Sequence, residues 1–311
     1  MKKKIKQLGM IGISKGNGHP YSFSAIFNGY NETHMKQCPY RNIYYYLKKQ
    51  NKRTMRLNEA MITHLWTQNK NDSKKISRAS KIKNIVKNYQ DFVDQVDGVI
   101  IARDDPRSHF KIAKLFLDKK IPIFIDKPLT DNLKELRKFA KYYQTNLIMS
   151  CSAMRYAREI EKAKKSISKL GRINVIYGIG PKDWTTYGVH LLEAIYGLLK
   201  IKVKYVRSVS REKEDIMHLH TEDGKNIILH TSNKIQPLFQ LILYGTKGHL
   251  LINLSDLFYM FKKTLTFFVK MMKTKKLPIK FSETAEIIKI IIAGNMSKKN
   301  RKIIKLDNLK Y

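Results

Sequence analysis

Three groups of residues in this sequence have the types and spacing that chemistry requires. In the first, the charged pair Asp126-Lys127 follows an apolar segment directly and precedes a proline. A lysine where a buried strand ends can hydrogen-bond a substrate hydroxyl and help to move its proton. In the second, His190 opens an amphipathic helix behind a polar, aromatic loop, and histidine is a general acid or base near neutral pH. Lys127 and His190 are the predicted catalytic residues, with a surface lysine and a structural histidine as the alternatives.

The third group is a glycine-rich loop. Gly12, Ser14, Gly16, Gly18 and His19 lie between an apolar strand and a predicted helix. Glycines at such a place let backbone N–H groups approach a pyrophosphate at the helix N-terminus. The spacing departs from G-x-G-x-x-G, because a serine stands at the second glycine position and one or two residues are inserted. The loop predicts a phosphate-binding turn, and an ordinary turn before a helix is the alternative.

Strands and helices alternate through the first half of the chain. Apolar segments bounded by turn residues predict strands, and longer segments with polar faces predict helices. The predicted strands are 5–14, 60–68, 99–102, 121–125 and 147–150, and the predicted helices are 21–28, 72–79, 109–118 and 132–143. This alternation predicts a doubly wound parallel sheet of the Rossmann type in a domain at 1–127, with an insertion at about 28–57.

The second half predicts a different kind of domain over 128–311. Short alternating segments with turn signals between them predict a mostly antiparallel sheet. These segments are 173–178, 202–208, 216–220, 225–230 and 238–245, and a helical tail is predicted at 282–293.

Composition limits the class of protein. The chain has 311 residues, of which 43% are hydrophobic, enough for two globular domains. Its two cysteines cannot build a disulfide framework or a multi-thiolate metal site, so no metal is expected. We expect a cytoplasmic protein, because no leader pattern or segment of roughly 18 apolar residues occurs.

The net charge of +36 raises the question of polyanionic partners. Only 13 of the 61 basic residues are arginine, and the lysines are spread along the whole chain. This distribution favours a solvated basic surface over a dedicated nucleic-acid site. No specific nucleic acid is therefore a predicted partner, and a charge-driven nucleic-acid or membrane-surface binder ranks last among the hypotheses.

In order and spacing, these motifs resemble the Gfo/Idh/MocA family of oxidoreductases over nearly the whole chain. The glycine loop falls at the family's glycine turn. The other motifs that carry the resemblance are Asp126-Lys127-Pro128, similar to the family's Glu-Lys-Pro, Arg155-Tyr156, similar to its Arg-aromatic pair, and Tyr187-Gly188-Val189-His190, similar to the end of its Asp-x-Gly-x-His.

The resemblance implies a Rossmann domain followed by an α/β domain with an open, mostly antiparallel sheet. It implies hydride transfer between NAD or NADP and a sugar or nucleotide sugar, with cell-surface polysaccharide metabolism as one setting. Lys127 would orient the substrate, and His190 would be the acid/base. A homo-oligomer is also expected. The implied cofactor-binding residues are Gly12, Ser14, Gly16, Gly18, His19, Thr67, Asp104, Asp105, Pro106, His109, Asp126 and Lys127. The implied substrate residues are Arg155, Lys182, Trp184, Thr186 and Tyr187.

One departure from the family concerns the partner of His190. Thr186 stands where the family has an aspartate, and Asp183 and Glu193 are the candidates to replace it. A catalytically inactive Rossmann protein that binds a nucleotide as a sensor or scaffold is therefore the alternative function.

Two further departures concern the cofactor. The second strand ends at Thr67-Gln68, without the acidic residue that binds the ribose of NAD. Lysines that could meet a 2′-phosphate follow at 70, 74 and 75, which is a point in favour of NADP. In addition, Asp104-Asp105-Pro106 replaces the family's usual Thr-Pro-Asn.

Overall fold

A computed structural model describes residues 5–211 and 214–311, which form two compact units. The first unit comprises the described part of Met1–Asp126 with Phe139–Ser150 and Phe261–Ile279, and the second comprises Lys127–Lys138, the described part of Cys151–Met260, and Lys280–Tyr311. The chain first passes from the first unit to the second after Asp126, and two later segments return to the first unit. Residues 1–4 of the predicted first domain lie outside the described residues.

The first unit contains a sheet of six parallel strands. They are β1 (Lys6–Ile11), β2 (Ala60–Trp66), β3 (Asn84–Ile85), β4 (Gly98–Ile101), β5 (Ile123–Ile125) and β6 (Ile148–Ser150). Their order in the sheet is β3-β2-β1-β4-β5-β6, so the direction of winding reverses between β1 and β4. The predicted Rossmann sheet is confirmed. In such sheets, ligands bind beyond the carboxyl ends of the strands at this reversal.

The second unit contains a sheet of seven strands. They are β7 (Ile173–Pro181), β8 (Val203–Ser208), β9 (Glu214–Thr221), β10 (Asn226–Ser232), β11 (Gln240–Gly245), β12 (Gly248–Asn253) and β13 (Ile304–Lys305). Their order is β12-β11-β7-β10-β9-β8-β13. Within the described strands of this second sheet, only the pairing of β7 with β10 is parallel, so the predicted, mostly antiparallel sheet is confirmed.

Ten α-helices accompany these sheets in the described part of the chain. They are α1 (His19–Asn28), α2 (Glu32–Lys36), α3 (Arg41–Lys48), α4 (Lys70–Ser80), α5 (Pro106–Asp118), α6 (Leu133–Tyr143), α7 (Arg158–Ser166), α8 (Val189–Leu198), α9 (Leu257–Thr274) and α10 (Phe281–Asn300). The sequence did not predict α7 or α9. The predicted insertion contains α2 and α3.

Helix α9 is an apolar helix whose greater part belongs to the first unit. The ring centroid of Phe268 lies 6.0 Å from that of Phe124 on β5, and the ring of Phe261 lies 5.4 Å from that of Phe23 on α1. Its apolar side chains are thus core residues of a Rossmann unit. Among the residues that the structure describes, no helix is long and apolar enough to cross a membrane.

Candidate functional site

The glycine loop connects β1 to α1 at the reversal point of the first sheet. A Cβ on Gly12 would lie 2.4 Å from Cγ of Pro20, and a Cβ on Gly18 would lie 2.6 Å from Cδ1 of Ile43. These two glycines therefore allow the loop to pack closely against α1 and α3. Gly16 has φ 85°, a conformation that favours glycine, and no atom lies within 4 Å of the Cβ position, so there is open space beside the loop.

The insertion supports this loop. The backbone of Gly16 hydrogen-bonds to the hydroxyl of Tyr40, and the Tyr40 ring lies 2.7 Å from the Cβ position of Gly18. Burial raises the pKa of Tyr40, so the phenol stays neutral at physiological pH. Residues that follow α1 therefore pack against the glycine loop, a role that the sequence did not indicate.

Asp126, where β5 ends, holds the start of α1. Its buried carboxylate accepts a hydrogen bond of 2.9 Å from the side-chain amide of Asn17 and lies 2.5 Å from Nδ1 of His19. The backbone N–H of His19 donates to Oδ1 of Asn17 at 2.8 Å. The predicted residues His19 and Asp126 thus lie together. Asn17 is a member of this group that the sequence analysis missed.

Polar contacts join the ends of β1, β2 and β4 into one edge. The hydroxyl of Ser14 hydrogen-bonds to the carboxylate of Asp104, whose backbone N–H donates back at 3.0 Å. Arg103 binds both carboxylate oxygens of Asp105 at 2.7 and 2.8 Å and donates to Gln68 at 2.9 Å. Burial alone would raise the pKa of Asp105, but the bonds from Arg103 hold that pKa below its usual value. The charged side chains at this edge are therefore held in place by hydrogen bonds to one another and to neighbouring residues.

Three other predicted cofactor-binding residues lie next to this edge. Thr67 is buried, and its hydroxyl bonds to the carbonyl of Asn69 at 2.6 Å and to the hydroxyl of Ser73 at 2.8 Å. The fully buried His109 donates from Nε2 to the carbonyl of Arg103 at 2.9 Å. Pro106 is the first residue of α5.

The edge was tested for its fit to a dinucleotide. The first turn of α1 has no acidic side chain, which suits an anion. Its early donors are used or absent, because the His19 N–H binds Asn17, residue 20 is proline, and the Tyr21 N–H binds Gly18 at 3.0 Å. A pyrophosphate would therefore take its hydrogen bonds mainly from the loop around Gly16. With that shift the residues fit, while the side-chain amide of Gln68 is engaged with the backbone of Ile13 and with Arg103.

A second cluster lies within the second unit, around the ring of Tyr187. The ammonium groups of Lys127 and Lys182 lie 5.6 and 4.6 Å from its centroid. The imidazole of His190 lies 5.2 Å from it and also 5.2 Å from the ring of Phe239. Lys127 is buried, whereas His190 is half-buried. The fold thus brings the two predicted catalytic residues to one aromatic ring.

The partner of His190 comes from the turn after β6. Oγ of Ser152 lies 2.6 Å from Nδ1 of His190 and also accepts the backbone N–H of Met154 at 3.2 Å. Thr186 is turned to Asp183, to which it donates through its hydroxyl at 2.6 Å and its backbone N–H at 3.0 Å. Ser152 was missed in the sequence. Its signal is a hydroxyl at the end of a buried strand, just before the Arg-aromatic pair.

Arg155 is the centre of a buried ion-pair network. Its Nε lies 2.5 Å from Glu193 on α8, and its Nη1 lies 2.8 Å from Glu283 on α10. Burial raises the pKa of Glu193 even though Arg155 opposes this shift. Burial alone would lower the pKa of Arg155, but the charge of Glu193 raises it overall. Arg155 therefore joins two helices, in contrast to its expected place at a substrate.

Trp184 is a core residue of the second unit. It is 1% exposed, and its Nε1 donates to the carbonyl of Ile291 at 3.1 Å. A Cβ on Gly188 or Gly294 would lie 2.4 or 2.3 Å from the indole. Trp184, which the resemblance implied as a substrate residue, is thus enclosed in the core, because the two neighbouring glycines leave room for its ring. Within residues 5–211 and 214–311, no cluster of three or more His, Cys, Asp or Glu could hold a metal ion.

A strand order of this kind, with a glycine loop at the reversal point, is typical of dinucleotide-binding sheets. Residues 44–149 match the model of the Gfo/Idh/MocA oxidoreductase family, which is described as having an NAD-binding Rossmann fold. The match begins in α3, after the glycine loop. The match covers about a third of the chain and, with the two-unit fold, shows that the chain is similar to members of that family.

Solved structures share the whole architecture at low identity. One is myo-inositol 2-dehydrogenase from Lactobacillus plantarum, with a TM-score of 0.77 at 15% identity over 97% of this chain and 99% of that one. Another is scyllo-inositol dehydrogenase from Lactobacillus casei with bound NAD(H) and scyllo-inositol, with a TM-score of 0.75 at 13% identity over 98% and 100%. A probable dehydrogenase from Thermotoga maritima gives 0.74 at 13% over 97% and 99%. No curated protein sequence matches the chain significantly.

Proposed function

We propose that the chain is an NAD(P)-dependent dehydrogenase or reductase that acts on a carbinol or keto carbon of a sugar, a nucleotide sugar or a related cyclic polyol. One observation carries the proposal. Lys127 and His190 lie at the same aromatic ring, and Lys127 directly follows Asp126, the carboxylate that holds the glycine loop. An ammonium beside a titratable imidazole is a donor and acid/base pair for a hydroxyl or carbonyl oxygen.

The comparisons support the class of substrate. The Lactobacillus casei enzyme is named for a cyclic polyol and carries NAD(H) with that polyol. A surface of net charge +36 would also attract a phosphate-bearing nucleotide sugar by electrostatic steering. Cell-surface polysaccharide assembly is one setting in which such sugars are consumed.

When bound, the nicotinamide would take up or release the hydride at the reacting carbon. In the oxidative direction, Lys127 would donate a hydrogen bond to the reacting oxygen and stabilise the negative charge that develops on it. His190 would accept the hydroxyl proton at Nε2, since Nδ1 faces Ser152. In the reductive direction, protonated His190 would return the proton to the oxygen while Lys127 donates its hydrogen bond to that oxygen. Tyr187 and Phe239 would offer their rings to the apolar face of a sugar.

The cofactor is proposed to bind at the glycine loop as NAD or NADP. Asp126, Asn17 and His19 would fix the start of α1, and the backbone of Gly16 would approach the phosphates. Gln68 carries no charge that would repel a 2′-phosphate, and exposed lysines follow it on α4. NADP is therefore the preferred cofactor in this proposal.

A homo-oligomer is part of the proposal. On the outer face of the second sheet, the large side chains Tyr177, Tyr244 and Leu251 are 46%, 43% and 50% exposed. The rings of Tyr177 and Tyr244 lie 6.3 Å apart, so they form a continuous apolar surface. Such a surface is suited to a second copy of the chain.

A two-stage experiment tests the function. Thermal unfolding is first followed with NAD⁺, NADH, NADP⁺ and NADPH at low and high salt, where a ligand at ~100 times its dissociation constant adds about 2.7 kcal/mol. With the cofactor that binds, myo-inositol, scyllo-inositol, free hexoses and UDP-hexoses are then screened for turnover by nicotinamide absorbance. Salt-resistant binding and turnover are expected.

The variants Lys127→Ala and His190→Ala are expected to lower turnover by at least about 100-fold. Both should retain the thermal shift with cofactor, because the loop residues are unchanged. Lys134→Ala, an exposed lysine on α6, is the matched control and should behave as wild type. Wild-type rates in both site variants would exclude the proposed catalytic roles. Tight cofactor binding without turnover of any substrate would instead favour the sensor or scaffold.

A further inference from the structure

The imidazole of His190 is held in a different way from that implied by the family motif. The two carboxylates that the sequence offered as partners are engaged elsewhere in the structure. Asp183 accepts two hydrogen bonds from Thr186, and Glu193 is paired with Arg155. The contact that the structure gives to Nδ1 of His190 is Oγ of Ser152 at 2.6 Å.

We propose that Ser152 is the positioning residue of His190 and does the work of the carboxylate absent at position 186. The Ser152 hydroxyl is 1% exposed and is fixed by its second bond, which it accepts from the backbone of Met154. A buried hydroxyl with a fixed oxygen can accept the Nδ1–H of the imidazole. This contact would hold the ring and leave the lone pair on Nε2, where the substrate proton arrives.

Serine differs from a carboxylate in one physical respect. A carboxylate is charged and stabilises the imidazolium that forms on protonation, whereas a hydroxyl is neutral. Ser152 therefore orients His190 without adding a negative charge beside it. The proton taken up by His190 is held less firmly and is released more readily.

The charged and titratable groups around the imidazole of His190 are consistent with a neutral partner at Nδ1. The ammonium groups of Lys127 and Lys182 lie at the neighbouring ring of Tyr187, whose phenol is the nearest titratable group on the turn before α8. Asp183 is bonded to Thr186 on that turn. One turn further along α8, Glu193 is paired with Arg155. Arg155 follows Cys151 and Ser152 in the sequence.

The inference rests on the proposed function, because Nε2 matters only if His190 moves a proton. Its test is therefore a measurement without cofactor or substrate. The intact protein is labelled with ¹⁵N in the histidine rings, and two-bond ¹H–¹⁵N correlations assign the tautomer of each neutral imidazole. The His190 signals are identified by their loss in His190→Gln. Wild-type His190 should be in the Nδ1–H form, and an Nε2–H form or an equal mixture would overturn the proposal.

The variants Ser152→Ala and Ser152→Thr separate the hydrogen bond from the fold. In Ser152→Ala, the neutral imidazole should become a mixture of tautomers, and in Ser152→Thr, which keeps the hydroxyl, the wild-type signals should return. Thr186→Ala is the control, and it should leave the His190 signals unchanged because Thr186 bonds to Asp183. If Ser152→Ala keeps the wild-type tautomer, or Thr186→Ala loses it, the proposal is wrong.

Kinetics then separate the two proposals from each other. With a working substrate, Ser152→Ala should lower kcat by about tenfold with a smaller change in KM, and should shift the pH profile of kcat. Ser152→Thr should restore both. If no substrate is turned over, the proposed function fails, while the tautomer result still decides the role of Ser152.

Discussion

The most demanding test of the structure is the substitution Arg155→Met. The guanidinium contacts Glu193 at 2.5 Å and Glu283 at 2.8 Å, and the Arg155 and Glu193 side chains are only 7% and 3% exposed. Methionine has a similar length and no charge, so the variant would leave the carboxylate of Glu193 buried without its cation. We expect the free energy of unfolding to fall.

The magnitude follows from burial. Two unit charges about 4 Å apart attract by about 4 kcal/mol at an effective dielectric constant near 20. Removal of one partner of a buried pair typically costs about 3–5 kcal/mol, because the other charge stays desolvated. Little is added for Glu283, whose side chain is 37% exposed and is screened by water. We therefore expect a loss of about 3–4 kcal/mol, a large part of the 5–15 kcal/mol that stabilises a typical domain.

The loss should also depend on pH in a definite direction. Burial already raises the pKa of Glu193, and loss of Arg155 would raise it further. A group whose pKa is raised by folding contributes stability below its unfolded pKa, near 4.3 for glutamate, and this contribution disappears as the pH rises through the folded pKa. The difference between wild type and Arg155→Met should therefore grow from pH 5 to pH 8.

Urea unfolding at several pH values, followed by circular dichroism, measures this difference. Arg158→Met is the matched control, because Arg158 pairs with Asp256 at 2.9 Å but is 50% exposed and should cost only roughly 1 kcal/mol. The double variant Arg155→Met with Glu193→Gln should recover part of the loss. A cost for Arg155→Met equal to that of the control, or independent of pH, would refute the argument.

Three further outcomes are expected. Gly294→Ala should cost about 1–3 kcal/mol in urea unfolding and change the fluorescence of Trp184, because its Cβ would lie 2.3 Å from the indole; unchanged stability would contradict this packing. Burial lowers the pKa of His64, so stability should fall as the pH drops below about 6.5, the unfolded value, and urea midpoints should show a weaker fall in His64→Asn. The double variant Tyr177→Lys with Leu251→Lys should lower the mass in light scattering, and an unchanged mass would exclude this face as the interface.

The sequence predicted those parts of the molecule that depend on local pattern. Apolar segments between turn residues located β1, β2, β4, β5 and β6, because a parallel strand is buried on both faces and reads as an apolar run. Motif order predicted that Lys127 and His190 serve one site, and the two residues do lie at the ring of Tyr187. Their catalytic roles stay predictions.

Other features depend on contacts between distant segments. Trp184 was implied as a substrate residue, yet it is buried, and its burial depends on two glycines, one of them 110 residues further along at Gly294. Ser152 became the partner of His190 only through the packing of α8 on the turn after β6. The apolar sequence of α9 did not indicate to which of the two units this helix belongs. Contacts of this kind cannot be predicted from the local sequence, because the same residues occur in several tertiary environments.

The return of α9 to the first unit has a consequence for biosynthesis. The first unit is complete only when residues up to Ile279 have left the ribosome, roughly 150 residues after Asp126. At 5–20 residues per second, synthesis of this stretch takes roughly 10–30 s. During that time α9 cannot cover the aromatic side chains around Phe124. A chain that terminates early, before α9, would present this surface permanently to chaperones and proteases. Folding of the unit that contains β1 therefore depends on a segment that is synthesised much later, Phe261–Ile279.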